Sequence, residues 1–154
     1  MKEVFQLTLK ERLMDDFKEA MKAHDEVRKN TISFTRAAIK QVEIDTRKDL
    51  EDEDVIPIIA KQVKLRKDAL EDFEKGGRKD LADAYRAEIE VLSEYLPRQL
   101  SEEEIKDIVR TVAAELGIEG GKENMGKLMG ATMPKVKGVA EGTKVRKIIE
   151  EFLA

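Results

Sequence analysis

Lys127, Lys135, Lys137, Lys144 and Arg146 are the side chains best placed to do chemistry in this sequence, and that chemistry is electrostatic. Seven Lys/Arg and only two acids, Glu123 and Glu141, lie between Lys122 and Lys147. The whole chain has a net charge of −4, so this stretch is a local excess of positive charge in an acidic protein. Gly126, Gly130, Gly138 and Pro134 are woven through it. Glycine permits close backbone approach and positive φ, and proline fixes a turn. Cationic side chains beside tight backbone features point to a surface that holds phosphates. Such contacts would bring salt dependence without reading base sequence. The competing reading is a merely solvated basic face.

Gly126 and Gly130 stand four apart, on one face of a short helix. A mid-helix glycine costs about 1 kcal/mol relative to alanine, so the pair needs compensation. Close packing against a neighbouring helix is one source, and the surrounding Met125, Leu128, Met129 and Met133 favour it. Approach of backbone to a phosphate is the other.

No second chemistry assembles elsewhere. The chain lacks Cys, which excludes disulfides, a thiolate nucleophile and Cys-based metal sites. His24 is the only histidine and reads as a structural residue at a helix end. Tyr85 and Tyr95 fall on helical spacing as partly buried residues, with Tyr95 a minor candidate for base stacking. No phosphate loop, dinucleotide fingerprint, zinc-protease motif or nucleophile elbow occurs. Nucleophile, base and charge stabiliser cannot be combined here. The expectation is a non-catalytic protein with no cofactor and no metal. No apolar run reaches the ~18 residues of a membrane span, and no signal-peptide pattern opens the chain. The sequence therefore reads as cytoplasmic, with no membrane partner.

The elements that must position the basic stretch are helices. Charged residues make up 40% of the chain, a proportion that long helices with solvated faces carry readily. Leu9, Leu13, Phe17, Ala20, Met21 and His24 form a first stripe, and Ile32, Thr35, Ile39 and Val42 a second. The acidic run from Glu51 to Asp54 opens a third helix, with Asp54 as cap and Pro57 in its first turn. Ile59, Val63, Leu70 and Phe73 line that helix, and Gly76–Gly77 ends it. Leu81, Tyr85, Ile89, Leu92 and Leu96 define a fourth, stopped before Pro97.

Ser101 and Glu104 then predict a capping box, with Leu100 and Ile105 as a hydrophobic staple. Ile105, Ile108, Val109, Val112 and Leu116 face inward until Gly117. Asn124 is expected to cap a short helix that Pro134 stops near Met133. Thr143 is expected to cap the last one, with Val145, Ile148, Ile149 and Phe152 inside. The expected fold is all-α: four N-terminal helices over residues 1–97, then a three-helix domain over 98–154.

Three strings carry a family resemblance: VKLRKDALEDFEKGGRKDL at 63–81, EYLPRQLSEEEI at 94–105 and MGKLMGATMPKVKG at 125–138. The sequence resembles the YqeY-like family, stand-alone relatives of the tail of the GatB subunit of tRNA-dependent amidotransferase, over nearly its whole length. The resemblance implies an N-terminal helical domain, a smaller C-terminal helical domain and an association with tRNA apart from any catalytic centre. It maps the family's Gly/Lys-rich signature onto Met125, Gly126, Lys127, Gly130, Pro134, Lys135, Lys137 and Gly138. After Gly138 the family pattern expects a basic residue and then Ala-Asp-Gly. This chain has Val139, Ala140, Glu141 and Gly142, one positive charge fewer.

The leading expectation is a tRNA-binding or tRNA-associated module. The alternative is an adaptor whose acidic half docks an aminoacylation or amidotransferase component. A third reading, glutamine-dependent carbon–nitrogen ligase activity, rests on family inheritance alone.

Overall fold

The computed structural model describes residues 7–154, so the first six positions of the expected 1–97 domain lie outside the described residues. The described residues form seven α-helices and one short 3₁₀ turn, with no strand. The chain divides into two compact units that meet in sequence at Leu96 and Pro97.

In the first unit, α1 (Leu9–Lys22), α2 (Glu26–Thr46), α3 (Asp52–Lys75) and α4 (Lys79–Ser93) enclose one core. Leu13, Ile32, Val55, Ile59 and Leu92 are fully buried there. Of the first predicted stripe, Leu9, Leu13 and Ala20 are buried and Phe17 packs at the edge, whereas Met21 and His24 are exposed. His24 adopts φ 56° after the end of α1, a left-handed conformation that turns the chain toward Asp25, the cap of α2. A capping box at Thr8 and Glu11 starts α1. The α1 start is tied to the α3 start by the Leu9 N–H donating to Asp52 at 2.8 Å.

The expected position of Pro57 needs correction. Helix α3 begins at Asp52, with Glu51 as the cap, so Pro57 sits in the second turn. Asp54 is the third helical residue, and its carboxylate accepts the Glu51 N–H at 3.2 Å. Burial of Val55, Ile59 and Val63 on one face holds the helix together across the missing proline donor.

Tyr95 is buried rather than open for stacking. Its hydroxyl donates to Asp16, and the Arg12 guanidinium lies 4.9 Å from the ring centre. Burial, then the Asp16 hydrogen bond, pushes its phenol well above the ordinary range.

Two carboxylates give the fold an acid limit. Glu43 is held at about 2 chiefly by the hydrogen bond from Lys10, at 2.6 Å, and then by the Leu50 N–H. Glu104 is likewise held at about 2, mainly by the Arg98 guanidinium and then by the Ser101 backbone. Both are depressed from the usual carboxylate value, so their contribution is complete above about pH 4.5 and is lost as pH falls toward 2. An acid titration followed by circular dichroism should show declining stability through that window. Glu43→Gln should flatten the decline in the first unit.

In the second unit, α5 (Glu102–Leu116), the 3₁₀ turn (Lys122–Asn124), α6 (Met125–Val136) and α7 (Gly142–Leu153) surround a second core. Ile105, Val109, Leu128, Val136, Val145 and Ile149 are fully buried in it. The capping box at Ser101 and Glu104 forms in both directions, and Gly117 ends α5 at φ 71°.

Candidate nucleic-acid interface

Helix α6 places the Gly/Lys-rich signature. It buries Leu128, Thr132 and Val136, which recur every four residues. Its opposite face is exposed and carries Gly126, Gly130 and Pro134 in one row, with Lys127 beside them and Lys137 just beyond the last turn.

The packing expectation for the two glycines is overturned. A Cβ built on Gly126 or Gly130 meets nothing within 4 Å, so neither admits a neighbouring helix. The methionines lie on other faces: Met125, Met129 and Met133 pack at the edge of the core. A strip of bare helical backbone is left open to solvent.

Pro134 also departs from expectation. It lies inside α6, which continues to Val136. Val136 is fully buried, and anchoring that residue holds the final turn despite the lost donor. Pro134 can offer Gly130 no N–H, so the Gly130 carbonyl lacks its usual i+4 partner on this same exposed row.

Gly138 has a conformational task. It takes φ 82° after α6, where an L-residue is strained, and its carbonyl accepts from the Gln99 side chain at 3.1 Å. The next carbonyl, of Val139, accepts the Leu100 N–H at 2.8 Å. The turn after α6 is thereby fastened to the segment that leads into α5.

The remaining predicted cations separate. Lys135 projects toward α5, its ammonium 3.7 Å from the Glu115 carboxylate. Lys144 and Arg146, two residues apart on α7, point about 200° from one another around the helix axis. Arg146 pairs with Glu150 at 3.2 Å. Among the described residues, Lys127, Lys137 and Lys144 form no ion pair, and neither do Lys122 and Lys147. Lys147, counted in the basic stretch but not among the expected phosphate contacts, lies on the outer face of α7, opposite the buried Val145, Ile148 and Ile149.

The start of α7 differs as well. The helix begins at Gly142 with Glu141 at the cap position, so Thr143 lies within the first turn instead of capping it. Asn124 does precede α6, but its side chain donates back to the Gly120 carbonyl at 2.8 Å. An acid at the α7 N-terminus competes with any incoming phosphate there. Over residues 97–154, ten basic side chains balance ten acidic ones. The positive field is therefore local to the α6 face and not a property of the unit.

Among the described residues, no helix is long and apolar enough to cross a membrane, and no group of three or more His, Cys, Asp or Glu gathers as a metal site would need.

Comparison with known proteins bears on the chain as a whole. The family model described as Yqey-like protein matches residues 10–153. A protein of Pyrenophora tritici-repentis named altered inheritance of mitochondria protein 41, mitochondrial, is 31% identical over 146 residues, covering 92% of this chain and 79% of the relative. Its namesake in Lachancea thermotolerans is 38% identical over 107 residues, 68% of this chain and 57% of the relative. The namesake in Kluyveromyces lactis is 39% identical over 84 residues, 54% and 45%. The matched stretch thus spans about half the length of the two yeast relatives.

These names correct the cytoplasmic expectation, because relatives called mitochondrial conflict with it. That expectation rested on the absence of an apolar span and of a secretory signal pattern, and neither absence tells one aqueous compartment from another. With the match running from the start of α1 to the end of α7, the chain belongs to the Yqey-like protein family.

Proposed function

We propose that this protein is a non-catalytic, tRNA-associated helical module, whose C-terminal unit acts as a GatB-tail-like domain and whose α6 face is the contact surface. One observation carries this reading. Gly126 and Gly130 leave an uncovered strip of backbone, and the unpaired ammonium groups of Lys127 and Lys137 flank it. A phosphodiester backbone can approach such a strip closely while the two lysines neutralise it. Gly138 sets the turn that carries Lys137. Lys135, Lys144 and Arg146 contribute only long-range attraction, Lys135 and Arg146 being paired with Glu115 and Glu150.

A titration of bulk tRNA at low salt tests the proposal. The wild-type chain should bind with affinity that falls as salt rises. Lys127→Glu with Lys137→Glu should weaken binding at least about tenfold and lower the salt slope by about 1–2. Absence of binding at low salt, or an unchanged affinity in the double variant, would refute it.

A further inference from the structure

The two units differ sharply in what they expose. The most exposed large apolar side chains, among them Val27, Phe34 and Ile44, all belong to the first unit. Those three lie on one helix, α2. They belong to a longer series: Val27, Asn30, Phe34, Ala37, Gln41 and Ile44 are all exposed and none is charged. Their spacing alternates three and four residues, the repeat that lets two helices pair along a seam. With 40% of the chain charged, a run of six exposed positions without one charge is unusual for it.

α2 already packs against α1, α3 and α4 through its other sides, burying Thr31, Ile32, Thr35 and Ile39. The seam is the apolar part of its exposed side: Val27, Asn30 and Phe34 border a groove shared with Arg66, Ala84 and Glu88, and the Arg66 guanidinium reaches to 6.0 Å from the Phe34 ring centre, yet Phe34 stays mostly in solvent. Phe34 is 68% exposed, and Ile44 59%, on a helix whose inner residues are fully excluded from water. Exposed apolar side chains in such a row mark a contact surface.

The order of the six residues identifies the partner. Reversing the seam about its midpoint sets Val27 against Ile44, Asn30 against Gln41 and Phe34 against Ala37. Apolar meets apolar, amide meets amide, and the large ring meets the small methyl. A surface that complements itself under reversal is what a two-fold, isologous contact requires. Gln41 donates to Asp45 at 2.9 Å within its own chain, which leaves its amide oxygen to accept from Asn30 of another copy. The same reversal brings Glu26 toward Asp45 of the other copy, a like-charge pair that Lys29, 3.0 Å from Glu26, offsets.

We infer that this face of α2 pairs antiparallel with the same face of a second copy of this chain. The seam is about 26 Å long, and the amide layer fixes its register. The exposed parts of six side chains per copy amount to at most roughly 1,000 Å² over both copies, the size of a weak, transient association and not of a permanent one. A contact of that size comes apart on dilution, so the dimer is concentration-dependent.

Sedimentation equilibrium of the full chain, from about 1 to about 500 μM, tests this over the range in which weak dimers form. The mass should rise from the 17.5 kDa of one chain toward twice that value. Phe34→Glu, and separately Ile44→Lys, should keep the species at the single-chain mass with helical circular dichroism unchanged. Orientation is read from thiols, since the chain has no Cys of its own. Asn30→Cys with Gln41→Cys should oxidise to a covalent dimer, whereas Asn30→Cys alone should not. A single-chain mass at every concentration would overturn the inference and leave the seam to a helix of another protein. So would a Phe34→Glu variant that still dimerises, or efficient linkage by Asn30→Cys alone, which a parallel seam would give.

Discussion

Arg66→Ala is expected to cost the first unit about 2–3 kcal/mol of stability. Arg66 is buried in the middle of α3, where a charge is costly unless it is paired and hydrogen-bonded. Its Nε donates to the Glu88 carboxylate at 3.0 Å, and Nη1 donates to both the carbonyl and the side-chain oxygen of Gln62, at 3.1 and 2.9 Å. The guanidinium also lies 6.0 Å from the Phe34 ring centre. Removing it strands the Glu88 carboxylate, whose side chain is only 25% exposed, and opens a gap where the arginine stem packed. That exposure places the cost below the 3–5 kcal/mol typical of a fully enclosed pair. Urea denaturation followed by tyrosine fluorescence reads the effect directly, because Tyr85 and Tyr95 both lie in this unit. Arg66→Met with Glu88→Leu should recover most of the loss, since an apolar pair avoids the stranded charge. A single variant as stable as wild type would show that the pair does not support the fold.

Gly126→Ala combined with Gly130→Ala is expected to move stability the other way, raising that of the second unit by about 1–2 kcal/mol. Both glycines are helical and neither needs a positive φ. The added methyl groups meet no atom within 4 Å, so the gain in helix propensity is not offset by a clash. Hydrogen exchange of the α5–α7 amides measures this, the unit having no tyrosine or tryptophan to report on it. The same variant should bind tRNA less tightly, and Gly130→Leu less tightly still, because each side chain holds a phosphate backbone further from the helix. Stability and affinity changing in opposite directions would distinguish a recognition strip from a packing contact, for which alanine would lower both.

Much of the helical framework was legible locally. The Ser101 and Glu104 box, the Gly117 stop and the inward stripes of α2, α5 and α7 depend on neighbours within a few residues, and the sequence displays those neighbours directly. Both interior prolines were misread for one reason. Pro57 was placed in a first turn and Pro134 at a helix stop, the positions where a missing donor costs least locally, but buried residues on the far side of each helix carry it past the lost hydrogen bond. The box at Thr8 and the early start of α3 were equally local and were passed over.

Residue types and spacing by themselves determined that the chain is helical, where most helices begin and end, and that its cations gather late in a glycine-rich stretch. Only tertiary structure decided which of those cations remain available. Lys135 meets Glu115 twenty residues away, Tyr95 meets Asp16 across most of the first unit, and Arg66 meets Glu88 from another helix. It also decided that Gly126 and Gly130 face water and that the large apolar side chains of the α2 seam stay exposed. The physical reason is range: caps and helical stripes are set by atoms a few residues apart, whereas burial and charge pairing depend on which distant surfaces the fold brings together.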